Sequence, residues 1–316
     1  MKLFKKNEII SSTYHFIRSN KDKKYKNINF FSINQFKEQL EFFSKKFNII
    51  DEDVFQELLY KKKNQSAKPY LLLTFDDGYT DHYKYAFPLL NKKKIKGFFY
   101  PITRTINDKK FITFTNKIHF ILSNSKNINE LFLYVENFIN DKTKLKFKVL
   151  LNKAKKIKYS KRRFDNKNLV IIKNMFNFVI PEKYKEKLVD KIFKKIVSKD
   201  IEEFSHDIYL NKKQISEMSS NKMHFGTHTH SHIWLGKHTS KSQKKEILKS
   251  VNTLKKILGK EKKLSICYPF GSFNADTIQI AKNQGLIFGF SNKFGKVNLK
   301  GSFSKFKIPR FDCKDF

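Results

Sequence analysis

The chain of 316 residues is 40% hydrophobic and 15% aromatic, enough to bury the core of one large α/β domain or two small ones, which excludes a disordered polypeptide. Its formal net charge of +37 comes almost wholly from dispersed lysines, with arginine only at Arg18, Arg104, Arg162, Arg163 and Arg310. Base readout and bidentate phosphate clamping favour arginine, so no specific nucleic-acid partner is expected, and peripheral contact with an anionic membrane surface fits the charge better.

In chain order, residues 1–20 have lysines and then a mixed polar stretch without the apolar centre of a secretory signal. The expected location is therefore the cytoplasm, at the inner membrane face if the lysines meet lipid. Residues 34–47 have the spacing of an amphipathic helix, with Ser32 as its N-cap. The apolar run 70–75 before Asp76 reads as a buried parallel strand, 83–93 as a helix and 97–101 as a second strand. That βαβ unit puts Asp76 and Asp77 at the carboxyl end of its first strand. From 107 to 209 the chain is lysine-rich with helical apolar spacing at 128–138 and 184–197. The expected organisation is a barrel-like domain made of 1–106 and 210–316, interrupted by a helical insertion, 107–209. Further apolar runs at 223–226, before His228, and 264–268, before Pro269, complete a set of strand tips that carry polar groups. Barrels and open α/β sheets build their sites at the carboxyl ends of strands, so these tips point to one shared site. The two cysteines, Cys267 and Cys313, cannot supply a disulfide framework or a cysteine zinc site, and no apolar run approaches the roughly 20 residues that span a bilayer.

Two adjacent carboxylates at the end of a buried strand are costly unless something compensates them. A divalent cation would do so, holding one carboxylate as a ligand and leaving the other to take a proton from water. The run His228-Thr229-His230-Ser231-His232 supplies imidazoles four residues apart, a spacing that puts both on one face of a helical turn with His230 pointing away. One carboxylate and two imidazoles leave coordination positions open, which is the mark of a catalytic metal site. Tyr268-Pro269-Phe270-Gly271 can form a turn whose backbone N–H meets a developing oxyanion.

Thr74-Phe75-Asp76-Asp77-Gly78, the His228 to His232 run and Tyr268-Pro269-Phe270-Gly271, in this order, resemble the polysaccharide deacetylases of the NodB-homology type, carbohydrate esterase family 4, over roughly residues 14–312 apart from the insertion. The resemblance implies a distorted (β/α)7 barrel and hydrolysis of an N-acetyl group from a sugar. It implies Asp76 as general base, Asp77, His228 and His232 as ligands of Zn2+ or a similar divalent ion, and the Phe270 backbone at the oxyanion, with Tyr268 and Pro269 framing that turn. The chain departs from the pattern in three places. Cys267 stands where the family's third motif usually has an arginine, and Arg310 is the candidate replacement. No Leu-His motif precedes Phe316. Tyr14-His15 is similar to a Tyr-His pair found on the first strand of some members, which makes His15 the candidate general acid. The expected substrate is an N-acetylated sugar of a surface polysaccharide, or its nucleotide- or lipid-linked precursor. An aspartyl phosphotransferase would need a carboxylate at position 78, where glycine stands. A non-catalytic polybasic binding module on a deacetylase scaffold has no use for the second, unligated carboxylate of Asp76.

Overall fold

A computed structural model describes residues 4–20, 28–61, 66–125, 127–157 and 167–316; Arg162 and Arg163 lie outside them. The chain divides into two compact units, one of Met1–Lys21, Phe30–Phe111 and Ser205–Phe316, the other of Asp22–Asn29 and Ile112–Phe204.

Seven of the eleven strand segments among the described residues of the first unit form its barrel: β1 (Glu8–Tyr14), β2 (Tyr70–Asp77), β3 (Phe98–Pro101), β4 (His224–Phe225), β5 (Ile266–Cys267), β6 (Gly289–Phe290) and β7 (Phe311–Asp312). Neighbours run parallel: Ile9 faces Tyr70, Thr74 faces Phe98, and Phe98 faces His224. A single bridge, Thr227 to Ile266, joins β4 to β5, which pairs with β6. A second bridge, Phe290 to Ile308, leads into β7, which pairs with β1 through Ser12 and Phe311. The circuit thus closes as a distorted barrel, with full ladders on one side and isolated bridges on the other.

Alternation along β2 sorts its side chains. Tyr70 and Leu72 pack inside with Ile9, Phe98, Tyr100, Phe288, Phe290 and Ile308, whereas Leu71, Leu73 and Phe75 pack outward. The interior also holds a polar chain in which His224 bridges Glu52 and Ser265 at 2.7 Å each and Tyr100 meets Ser265 at 2.8 Å. Against the outer layer lies α1 (Ile33–Lys46), capped by Ser32 in a reciprocal box with Gln35. Its Phe36, Leu40 and Phe43 recur every three or four residues and are fully buried. Replacing Leu40 by Ala should cost about 2–5 kcal/mol, read as a fall in the denaturant midpoint at unchanged slope.

The mixed polar stretch of residues 1–20 contains β1, which ends at Tyr14, where the resemblance of Tyr14-His15 put the first strand. Glu8–Tyr14 is wholly buried between β2 and β7. The Thr74 hydroxyl donates to the Ser12 carbonyl at 2.9 Å and Glu8 is paired with Lys296 at 2.7 Å, whereas the Ser11 and Ser12 hydroxyls are buried with no hydrogen-bond partner among the described residues.

The second unit is helical, with Phe114–Asn124, Ile128–Lys142, Phe147–Lys156, Lys167–Asn174 and Glu182–Ile196. Edge-on packing of Phe120 and Phe193 against Phe204 marks its core. No helix among the described residues is long and apolar enough to cross a membrane.

Candidate active site

The carboxyl end of β2 delivers both aspartates, but in different ways. Asp76 continues the inward alternation of Leu72 and Thr74. Asp77, at φ 70°, leaves the strand, and Gly78 follows at φ 70° where a Cβ would stand 2.6 Å from the Pro101 Cβ. Only glycine fits that close approach. The turned Asp77 carboxylate accepts from the Tyr79 hydroxyl through Oδ2 at 2.6 Å. Its Oδ1 is buried with no hydrogen-bond partner among the described residues and lies 3.4 Å from Nε2 of both His228 and His232.

The two imidazoles do meet, though not on a helical turn as their spacing suggested. Residues 226–232 form an irregular loop after β4, with Thr229 at φ 64° and His232 at φ 59°. The loop is stitched by Thr side chains: the Thr229 N–H donates to Thr227 Oγ1 and the His232 N–H to Thr229 Oγ1, each at 3.0 Å. The Cys267 carbonyl accepts from His228 Nδ1 at 2.7 Å. A carbonyl only accepts, so Nδ1 carries the hydrogen and the Nε2 lone pair is free to face Asp77. His230 stands apart, beside Thr103 at 3.2 Å.

This donor set fits a divalent ion. Asp77, His228 and His232 each offer an atom within 4.8 Å of the others, and all three side chains are buried to within a few per cent. Ligands about 2.0–2.1 Å from a tetrahedral ion lie about 3.4 Å apart, the spacing seen from Asp77 to each imidazole. Burial disfavours charge on both rings. At His232 it prevails and lowers the pKa to about 3, which leaves a neutral ring with a lone pair to offer. At His228 burial is outweighed by its surroundings, chiefly the hydrogen bonds to Asp77 and Cys267 and the charge of Asp76, and the pKa rises.

Asp76 is held by Arg310, whose Nη1 and Nη2 donate to Oδ1 and Oδ2 at 2.9 and 2.8 Å. Arg310 also donates to Thr74 Oγ1 and to the Ser291 carbonyl, and both partners of the pair are buried, Asp76 at 3% exposure and Arg310 at 5%. Burial alone would raise the Asp76 pKa, but the guanidinium and His228 bring it down to about 2. Cys267 lies beside the same carboxylate, its Sγ 3.5 Å from Oδ2, and burial pushes the thiol pKa up.

His15 follows β1, is exposed, and lies within electrostatic reach of Asp76 and Asp77. Phe270 occupies a tight turn over Pro269–Gly271 at φ 58°, and its ring lies 4.6 Å from that of His232 and stacks on Trp234 at 4.2 Å. Glycine suits position 271, which lies at φ 64°, a conformation that L side chains rarely adopt. The Tyr268 hydroxyl donates to the Phe306 carbonyl at 3.1 Å, so that side chain is committed to the core, and Pro269 shapes the turn. Four of the six non-glycine residues with positive φ among those described, Asp77, Thr229, His232 and Phe270, belong to this one site. Such conformations cost on the order of 1–3 kcal/mol each and persist where the surroundings over-determine them. Sequence reasoning passed over Tyr79 and the Cys267 carbonyl, the groups that orient two of the candidate ligands. Neither has a spacing rule that would have revealed it.

The family model described as polysaccharide deacetylase matches residues 63–130 and 175–289. Poly-beta-1,6-N-acetyl-D-glucosamine N-deacetylase of Staphylococcus aureus strain MRSA252 is 31% identical over 183 residues, 54% of this chain and 61% of that protein. The chain's match thus spans less than two thirds of that relative's length. Among solved structures, Streptococcus pyogenes deacetylase PplD in complex with acetate aligns at TM-score 0.59 and 18% identity, covering 96% of this chain and 92% of that one. IcaB from Ammonifex degensii aligns at TM-score 0.55 and 15% identity, covering 96% and 91%. At these identities the two structures speak for the fold.

Proposed function

The chain belongs to the polysaccharide deacetylase family, and from that premise we propose that it is a metal-dependent amide hydrolase removing N-acetyl groups from the sugars of a polysaccharide or its precursor. The observation that carries the reading is the buried, unpartnered Asp77 Oδ1, equidistant from two imidazole nitrogens and next to a second carboxylate that an arginine holds ionised. Asp77, His228 and His232 would hold the ion, and a set of one oxygen and two nitrogens suits Zn2+. Such an ion supplies Lewis acidity to the acetamide carbonyl and to the attacking water.

The chain's own residues do the rest. Asp76, with a pKa of about 2, is ionised at neutral pH and takes the proton from the attacking water. Arg310 fixes both carboxylate oxygens, so Asp76 keeps one orientation. The Phe270 N–H donates to the oxyanion. His15, at the rim, delivers a proton to the nitrogen as the C–N bond breaks, because an unprotonated amine leaves poorly. The S. aureus relatives are named for poly-beta-1,6-N-acetyl-D-glucosamine, which makes oligomers of that polymer the first substrates to try. The helical segment 107–209 we read as an insertion into the barrel domain, and the dispersed lysines as favouring an anionic surface.

Purified protein is expected to contain one equivalent of zinc by elemental analysis and to release acetate from β-1,6-linked N-acetylglucosamine oligomers or lipid-linked glycans. Replacing His232 by Ala should abolish metal content and acetate release together. Full activity in a His232→Ala protein that retains no metal would end the metal-dependent reading.

A further inference from the structure

The residues just after Gly78 are tied to the residues just after β1 at three separate points. The Tyr79 ring stacks on Phe16 with centroids 3.8 Å apart and planes 19° from parallel. Asp81 pairs with Arg18 at 2.9 Å, their side chains only 6% and 7% exposed. His82 Nε2 lies 2.7 Å from the backbone oxygen of His15. Tyr79 in turn donates to the Asp77 carboxylate. One short segment therefore touches a candidate metal ligand on one side and the backbone of the candidate proton donor on the other.

His82 is the informative member. It is fully buried among the rings of Phe75, Tyr79 and Phe99, at 5.4, 5.8 and 5.9 Å. Because the His15 carbonyl only accepts, Nε2 must carry the hydrogen, and Nδ1 is left a buried acceptor without a partner among the described residues. An apolar ring of similar shape would fill the space without that unsatisfied atom. Packing alone thus gives no reason for histidine here, while the bond to His15 does.

We propose that Tyr79, Asp81 and His82 form a clamp of positioning residues: Tyr79 turns the Asp77 carboxylate so that Oδ1 faces His228 and His232, and Asp81 and His82 hold the backbone at His15 so that its imidazole stays at the rim beside Asp76. The clamp rests on the reading of Asp77 as a metal ligand and His15 as the proton donor. It makes the motif residues and the residues after the first strand one mechanical unit, so an ordered donor depends on groups that never touch substrate.

The two halves have separate tests. Tyr79→Phe should weaken zinc binding by on the order of 10- to 100-fold in calorimetric titration of the metal-stripped protein, a readout that needs no substrate. Wild-type affinity would overturn this half. His82→Phe should keep or raise the melting temperature, leave zinc affinity and KM unchanged, and lower kcat for acetate release from the oligomers by on the order of 10- to 100-fold, the scale of a misplaced group. His82→Gln, which retains an N–H donor, should recover part of that loss. In a His15→Ala background, His82→Phe should have no further effect. Loss of activity in step with melting temperature, or a full additional loss on top of His15→Ala, would overturn this half. If His15→Ala is itself fully active, the donor assignment falls, and with it the task of His82; the zinc titration of Tyr79→Phe still judges the other half alone.

Discussion

Asp76→Asn is expected to lower kcat for acetate release by at least about 10³-fold while the protein still binds one zinc, because the amide keeps the shape of the carboxylate but cannot take a proton. The geometry underlies the split between the two aspartates. Asp77 Oδ1 is the oxygen that faces the two imidazoles, whereas both oxygens of Asp76 are held by Arg310. The neutral amide of the Asp76→Asn protein also presents an N–H₂ group to the guanidinium, so some loss of stability accompanies the loss of turnover. Kinetics and metal analysis on the same preparation decide the matter. A variant that retains metal and turns over at the wild-type rate would remove Asp76 from the role of base.

Arg310→Met is expected to damage both stability and chemistry. Removing one partner of a buried ion pair leaves an uncompensated charge, and such changes cost about 3–5 kcal/mol. The sign of the pH dependence follows from the direction of the Asp76 shift. Its pKa in the folded protein is about 2, below the roughly 3.9 of an unfolded chain, so the pair adds stability above pH about 4 that is lost as the pH falls toward 2. Without the guanidinium, burial is left to raise the Asp76 pKa, and that acid-side loss of stability should shrink or reverse. The same change protonates the base at higher pH. The acid limb of kcat/KM should therefore move toward neutrality in the variant, and an Arg310→Lys protein should fall in between, since an ammonium is cationic but cannot grip both oxygens. An unmoved acid limb in Arg310→Met would mean that Arg310 does not set the protonation of Asp76.

The candidate metal ligands were legible in the sequence because each sits just beyond an apolar run, and strand tips of parallel sheets converge whatever their separation along the chain. The amphipathic helix behind them was legible too, from Ser32 as cap and apolar residues every three or four positions to Phe43. Other features were not. Only the end of β1 was legible, through Tyr14-His15; its burial was not, because Ser11, Ser12 and Thr13 look like surface residues until the hydrogen bonds of both neighbouring strands enclose them. The His228 to His232 spacing suggested a helix, but Thr227 and Thr229 hydroxyls capture the backbone N–H groups that a helix would have used, and a loop results.

By itself the amino-acid order determined which chemical groups stand at the strand tips, since that follows from local alternation of apolar and polar residues and from motifs whose members are neighbours in the chain. Only the tertiary structure decided how those groups face one another: that Arg310 reaches Asp76 across 234 residues, that Tyr79 aims Asp77, and that the Cys267 carbonyl selects the ligating nitrogen of His228. These relations exist only once the barrel closes through its isolated bridges and fixes the distance and angle between segments that share no sequence signal.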